Sequence, residues 1–472
     1  MTNNPYQIKH FHFIGIGGIG MSGLAMVLRQ RGFAVSGSDK SNNPSINNLK
    51  DLGINIFKEQ AASNISQLSE DKNEQLIIVI SSAIRQENEE LKEAYEKNLK
   101  ILHRSDILAF LIKQQYSILI AGSHGKTTTS TIITTILGKA NQDPTAIIGG
   151  IVPYYNSNAY VGKGKFLIAE ADESDGSLTK YDGDIGLLTN IELDHTDYYT
   201  NIDSLINTIK KFTKNCKKIV ANYDCNNLRK ACPDKTIWWS TNEFKNINFA
   251  AIPKIMNGQI TLASYYENGK YIDDISISLP GVHNLNNTLG AIAACRSADI
   301  NFSDIKPHVS SLKCPERRFQ FKGIWKGRQI VDDYAHHPSE IRETLSMARL
   351  MINTKKSILP MAADRIVVIF QPHRYSRTRD LITEFAKNLG AADLVILTPI
   401  YSAGEEPIKG ITSEKLKSCT LANNPNLPIF TCKQLRDLEN IINLKTREND
   451  LLLFMGAGDI TKVSEKLSKK IK

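Results

Sequence analysis

The ten residues AGSHGKTTTS, 121 to 130, constrain this chain more than any other stretch. They follow the apolar run Tyr116–Ile120 and precede Thr131, Ile132, Ile133, Ile136 and Leu137, a spacing that predicts strand, glycine turn and helix. Gly122 and Gly125 can take backbone angles that a Cβ forbids, so successive N–H groups converge on phosphate oxygens at a helix N-terminus. Lys126 then sets an ammonium between terminal phosphates, and the Thr127 hydroxyl suits a bridging Mg²⁺ ion. The spacing G-x-x-G-K-T is two residues shorter than the common nucleotide-loop signature, and the alternative is a tight turn with an exposed lysine. Its place at the C-terminal end of a strand, where open α/β sheets bind ligands, favours the phosphate cradle.

A chain of 472 residues has room for two or three domains, and 41% hydrophobic with 23% charged residues is a globular composition. The apolar runs fall far short of a membrane span. The start, MTNNPYQIKHFHFIGIG, enters a strand without a cationic segment, apolar stretch and cleavage site, which predicts a cytoplasmic protein with no membrane partner. Seven cysteines without a C-x-x-C pair indicate neither a disulfide frame nor a cysteine zinc site. The net charge of +9 comes from scattered lysines, with a patch only in the tail KLSKKIK. That pattern suits anionic small molecules and gives no reason to expect nucleic acid.

Residues 10 to 39 read strand, glycine turn, helix, strand, with Gly15, Gly17 and Gly20 fitting G-x-G-x-x-G and Gly32 placed to end the helix. Asp39 closes the second strand where a ribose-binding acid would lie, so pattern alone predicts NAD. The fingerprint itself reports only a helix N-terminus open to a pyrophosphate. Further strands are expected at Ile54–Phe57 and Leu76–Ser81, with helices over Glu87–Asn98 and Asp106–Lys113. A boundary falls at Lys113–Gln115.

After the phosphate loop, the buried strand Phe166–Ala169 ends in Glu170, Asp172, Glu173 and Asp175, acids that repel one another unless a cation such as Mg²⁺ offsets them. The strand read from DIGLLTNIELDHTDYY (184 to 199) delivers Asn190, Glu192, Asp194 and His195 to the same edge if the two strands are parallel neighbours. A helix starts after Pro280-Gly281 with His283, Asn284 and Asn287 in its first turn, where amides either cap the helix or read an adenine edge. Trp238–Asp274 has weak periodicity and reads as an irregular, small β insertion. Past Cys314-Pro315, Arg317 and Arg318 suit a phosphate or acyl phosphate. DDYAHHPSE then crowds Asp332, Asp333, His336 and His337 at a strand end before a helix opening at Pro338. The strand 365 to 370 releases His373, Arg374, Arg377 and Arg379, a set that suits an amino-acid carboxylate. Strands at Leu394–Thr398 and Leu451–Phe454 complete a second α/β sheet.

In order along the chain, GIGGIGMSGLA, SGSD, GSHGKTTT, EADESDGS, TNIELDH, PGVHN, RRFQ, DDYAHHPSE and FQPHRYSRT resemble the Mur ligase family over nearly its whole length. The resemblance implies an α/β protein of three domains. Residues 1–114 form a Rossmann-like unit for a UDP-sugar, 115–315 a P-loop ATPase-like unit for ATP and Mg²⁺, and 316–472 a Rossmann-like unit for an amino acid. The NAD reading then gives way to uridine diphosphate, held by Gly15, Gly17, Gly18, Gly20, Ser38, Asp39, Ser82 and Arg104. ATP is implied at Gly122, Ser123, His124, Gly125, Lys126, Thr127 and Thr128, with His283, Asn284 and Asn287 on the adenine side and Asp333 near the ribose. Metal ligands are Thr127, Glu170 and His195, and Tyr334, His336, His373, Arg374 and Arg377 surround the amino acid. The resemblance further implies that Lys126, His336, Arg318 and Arg377 would carry the chemistry, expected to be ATP-dependent ligation of L-alanine to UDP-N-acetylmuramate through an acyl phosphate. The alternative acceptor is a murein tripeptide, against which Ser174 in the acidic loop speaks. A monomer or weak homodimer is expected. Ser123, Val282 and Ala335 stand where the family usually has threonine, arginine and glycine.

Overall fold

The computed structural model describes residues 10–469 except 42, 71–74 and 197; the opening MTNNPYQIK and the last three residues of the basic tail lie outside them. Three sheets follow one another along the chain. In the first, the strands run parallel in the order Asn55–Phe57, Ala34–Ser38, His10–Ile14, Leu76–Ile80, Lys100–His103. Runs such as LIIVI are apolar without alternation because helices cover both faces. The helix Ile19–Gln30 leaves the glycine turn and also packs on the hairpin Thr145–Val152/Ser157–Tyr160 at the edge of the second sheet. There the Asn158 amide donates to the Ile19 carbonyl at 2.7 Å, and one apolar core runs through both domains.

The central sheet has ten strands, and Tyr116–Ala121, which carries the phosphate loop, lies between Ile185–Leu188 and Phe166–Glu170. The acidic strand and the 185–188 strand are therefore not neighbours, as the sequence reading supposed. Each is parallel to the strand between them, and the registers Ile120↔Glu170 and Ala121↔Leu188 end all three at one level. The two polar loops leave on either side of the phosphate loop. The segment read as one strand to 199 is strand only to Leu188; beyond it, polar residues bond to the phosphate loop instead of a ladder, and His195 takes φ 53°. Trp238–Asp274 is not irregular. Strand Phe249–Met256 joins the same sheet parallel to Ile237–Ser240, Thr261–Glu267 and Lys270–Ile277 continue it antiparallel, and exposed apolar residues such as Ile255, Tyr271 and Ile272 blurred their alternation.

The third sheet runs Gln320–Trp325, Arg328–Asp333, Asp450–Met455, Arg365–Phe370, Leu394–Leu397, Ile429–Thr431, parallel after its first strand. Met455 pairs in register with both Asp333 and Phe370, so the loops starting at Tyr334, Gln371 and Gly456 leave from one edge. That edge faces the central domain. All seven cysteines are free, and among the described residues no helix is long and apolar enough to cross a membrane.

Helix Val282–Ser297 reaches the central sheet through Gly290, where a Cβ would sit 2.9 Å from the ring of the buried Trp239. Gly290→Ala should displace that indole, lowering stability by about 1–3 kcal/mol. A lowered thermal midpoint with altered tryptophan fluorescence is the expected result.

Candidate active site at the domain seam

Gly122 (φ 128°) turns so closely under the next loop that a Cβ would collide with the Thr189 hydroxyl. The phosphate loop is laced to residues 189–192. His124 N–H donates to Asn190 Oδ1 at 2.9 Å, the Thr189 hydroxyl donates to the His124 carbonyl at 2.6 Å, and Ser123 Oγ donates to the Glu192 carbonyl at 2.8 Å. A hydroxyl at 123 is what this lacing needs, so serine serves as threonine would. Gly125 (φ 82°) opens the helix Lys126–Lys139, and a Cβ there would lie 2.5 Å from Asn287 Oδ1. Asn287 also accepts from the Thr129 hydroxyl at 3.3 Å, so it braces the phosphate loop instead of offering that oxygen to adenine. Asn284 is likewise committed, its amide donating to the Pro280 carbonyl at 2.8 Å.

Lys126 Nζ donates to both Glu173 oxygens, at 2.9 and 2.8 Å, and to the Gly122 carbonyl at 2.6 Å. Burial opposes its charge, but Glu173, Asp172 and Glu170 outweigh burial and keep it an ammonium. An incoming phosphate must share it with Glu173. Glu170 accepts from the Thr127 hydroxyl at 3.2 Å and from Gly149 N–H at 2.9 Å, a hard-oxygen pair that fits Mg²⁺. His195 Nε2 lies 3.9 Å from Glu173 and 3.8 Å from Asp194.

From the third domain, the helix Pro338–Thr354 points its N-terminus at the phosphate loop, with His337 as N-cap and Glu340 closing a capping box. Glu340 accepts from His336 N–H at 3.0 Å and lies 3.4 Å from His124 Nδ1 and 3.5 Å from Arg318. Burial raises its pKa, yet His336, His124 and Arg318 hold it well below the carboxylate range. His124, burial notwithstanding, is pushed up to about 9 by Glu192 and Glu340. His336, by burial and then Arg377, is pulled down to about 3. Arg317 is pinned to Asp332 at 3.1 Å and to the Gly456 carbonyl, whereas Arg318 faces the cavity; both guanidinia lie over the Tyr334 ring. Asp333 accepts from Phe319 and Ala335 N–H at 2.7 and 2.8 Å, and the buried Ala335 tolerates the place of glycine.

Arg377 is a correction to the sequence reading. Its Nε and Nη2 donate to Asp194 Oδ1 of the central domain at 2.9 and 2.8 Å, and Nη1 donates to His373 Nδ1 at 3.2 Å. Its side chain is 6% exposed, so in this arrangement it bolts the two domains together and does not present a free fork to a carboxylate. His373 stacks on Tyr401, and Arg374 reaches Glu405 at 3.6 Å.

At the opposite end, Ser38 is also corrected. Fully buried, its hydroxyl donates to Glu90 inside a core network with His12 and Asn64, so it meets no ligand directly. Asp39 accepts from Gly17 N–H at 2.8 Å and from Ser41 N–H at 2.8 Å, shaping the glycine turn. Gly15 (φ 78°) begins that turn, and Gly18 and Gly20 continue it into the helix, Gly20 beside Arg104. Arg104 donates to Asp172 at 3.1 Å and Ser82 to Asp175 at 2.9 Å, which brings the first domain onto the acidic loop.

A cavity of about 340 Å³ runs along the seam, lined by His124, Gly125 and Thr128 on one wall, Arg318, Asp333 and Glu340 on another, and His283 and Val282 at its mouth. Sequence reasoning missed Glu340, although a glutamate three residues after a helix N-cap is a recognisable signature, and missed Asp224 and Trp239 in the cavity wall, which nothing in their local pattern marks.

Sequence models of three Mur ligase domains match: the family's catalytic domain over 10–116, its middle domain over 120–295 and its glutamate ligase domain over 317–458. The UDP-N-acetylmuramate–L-alanine ligase of Prochlorococcus marinus (strain MIT 9303) is 50% identical over 99% of this chain and 96% of its own length. That of strain NATL1A is 53% identical over 97% and 92%. Among solved structures, the UDP-N-acetylmuramate–alanine ligase of Thermotoga maritima superposes with TM-score 0.80 at 25% identity over 98% of both chains. A murein peptide ligase of Psychrobacter arcticus shares the fold, with TM-score 0.71 at 21% identity over 98% of this chain and 99% of its own.

The seam gives stability a pH dependence. Because its folded pKa is raised from 6.5 to about 9, His124 contributes fully below pH 6.5 and loses its contribution as pH rises through 9. His336, lowered from 6.5 to about 3, costs more as pH falls across that interval, since only the unfolded chain takes up the proton. Thermal midpoints should peak near neutrality, and His124→Gln should flatten the alkaline limb; an unchanged limb would contradict the assignment.

Proposed function

The chain belongs to the Mur ligase family, and on that premise we propose that it joins L-alanine to the lactyl carboxylate of UDP-N-acetylmuramate while ATP becomes ADP and phosphate. As a member it is an ATP-dependent, amide-forming ligase. The observation that carries the reading is a cavity shared by the phosphate loop and the strand-end cluster of the third domain. The names of relatives about half identical over nearly the full length support the two substrates. We assign the UDP-sugar to residues 1–114, ATP to 115–315 and the amino acid to 316–472. With ATP and a UDP-sugar as substrates, the cytoplasm is the compartment we propose.

A carboxylate is a poor electrophile, so it must be activated before an amine can attack it. A lactyl oxygen attacks the γ-phosphorus, the bond to the bridging oxygen breaks, and ADP leaves. L-Alanine's neutral amine then attacks the acyl carbon and phosphate departs as the nitrogen loses a proton. In the first step two anions approach each other. Lys126 and Arg318 supply fixed positive charge there, in the cavity at the seam. Thr127 and Glu170 would hold Mg²⁺, which when bound adds further charge stabilisation at the phosphates. His336 donates through Nδ1 to the Tyr334 carbonyl at 2.9 Å, leaving the Nε2 lone pair to receive the amine proton. A group held at about 3 cannot store that proton, so we assign it as a relay. His373, whose ring meets that of His336, and the adjacent Arg374 are the groups we assign to the alanine carboxylate.

Phosphate release from ATP, Mg²⁺ and UDP-N-acetylmuramate should depend on L-alanine and not on L-alanyl-γ-D-glutamyl-meso-diaminopimelate; release with the tripeptide alone would move the protein to the alternative reading. Lys126→Ala should lower turnover by at least about 100- to 1,000-fold while UDP-sugar binding persists.

A further inference from the structure

We infer that His124, Glu192 and His337 form a site for a transition-metal ion such as Zn²⁺ or Co²⁺, and that the ion ties the central domain to the third across their seam. One ligand atom from each lies within 4.8 Å of the other two. Two of the residues belong to the central domain and one to the third. The nearest pairs, His124 Nε2 to Glu192 Oε2 at 3.6 Å and His337 Nδ1 to the same oxygen at 4.0 Å, are close to the ~3.4 Å that tetrahedral ligands about 2.1 Å from an ion would show. Small rotations of the two rings, whose centroids are 4.5 Å apart, bring the third pair in.

Both imidazoles are oriented as ligands, and the ion would displace the proton that Glu192 and Glu340 favour on His124. A metal-binding histidine normally fixes its ring by giving the other nitrogen to a carboxylate or a backbone carbonyl. Here His124 Nδ1 faces Glu340 at 3.4 Å and His337 Nε2 faces the Leu193 carbonyl at 3.3 Å. His124 Nε2 is buried with no hydrogen-bond partner, an expensive state for a polar atom aimed at a carboxylate and a second imidazole. The one bond His337 Nδ1 would give up is a long one, from Ser339 N–H at 3.3 Å. Glu192, 39% exposed, leaves an entry path for the ion. Two imidazoles and one carboxylate favour Zn²⁺, Co²⁺ or Cu²⁺ over Mg²⁺, whose oxygen-rich candidate position at Thr127 and Glu170 is a separate one. The site does not rest on the catalytic reading, since it uses no substrate.

The test titrates Co²⁺ into the full-length protein without nucleotide and in large excess of Mg²⁺, reading the ligand-field absorption band and the thermal midpoint. We expect one ion per chain with a raised midpoint. Affinity should fall at least about tenfold in His337→Ala and in Glu192→Gln, and stay within about twofold in Glu170→Gln. Circular dichroism shows whether each variant is folded, and the conservative Glu192→Gln keeps the test open should His337→Ala not fold. Absence of a band with the wild-type protein, a band indifferent to both seam substitutions, or one lost in Glu170→Gln would overturn the site. A band without a raised midpoint would overturn the tie between domains.

Discussion

One buried carboxylate holds the working arrangement together. Glu340 caps its own helix through His337 N–H and faces His124 of the phosphate loop and Arg318 of the third domain. Unpaired, a carboxylate at this depth would be prohibitively costly, so the charges around it have to arrive together. That requirement couples the phosphate loop to the third domain. With Asp194 and Arg377 it makes the seam a joint of fixed register, because both contacts put a charged group from one domain against a charged group from the other.

The acidic loop has the corresponding position toward the first domain. Lys126 reaches Glu173 from one side while Arg104 and Ser82 reach Asp172 and Asp175 from the other. Sheet register makes this possible: three parallel strands end level at Ala121, Glu170 and Leu188, and everything chemical hangs from that edge. In the account given above, ATP and the UDP-sugar meet there, and the third domain closes the remaining wall.

Much of this was legible in the sequence because glycines and charges sit where backbone geometry demands them. The turn at Gly122 and Gly125, the carboxylates after Phe166–Glu170 and the histidines of DDYAHHPSE all signal strand ends by local pattern, and local pattern is what a single sequence preserves. What a sequence does not carry is which partner a long side chain chooses. Arg377 looked like a carboxylate fork, but Asp194 sits 183 residues earlier in the chain and claims it. Ser38 looked like a sugar contact until Glu90 drew it into the core. The β character of Trp238–Asp274 was read but its individual strands were not, because exposed apolar residues erased the alternation that marks a half-buried strand.

The central claim is that paired charges at the seam, and not a continuous apolar core, hold the third domain in its working position. Small-angle X-ray scattering on the wild-type protein and on the double variant Asp194→Ala/Glu340→Ala tests it most directly, with circular dichroism confirming that secondary structure survives. The account predicts a larger radius of gyration for the variant at unchanged helix and strand content. An identical scattering profile would contradict it, and would assign the seam to packing that these charges do not control.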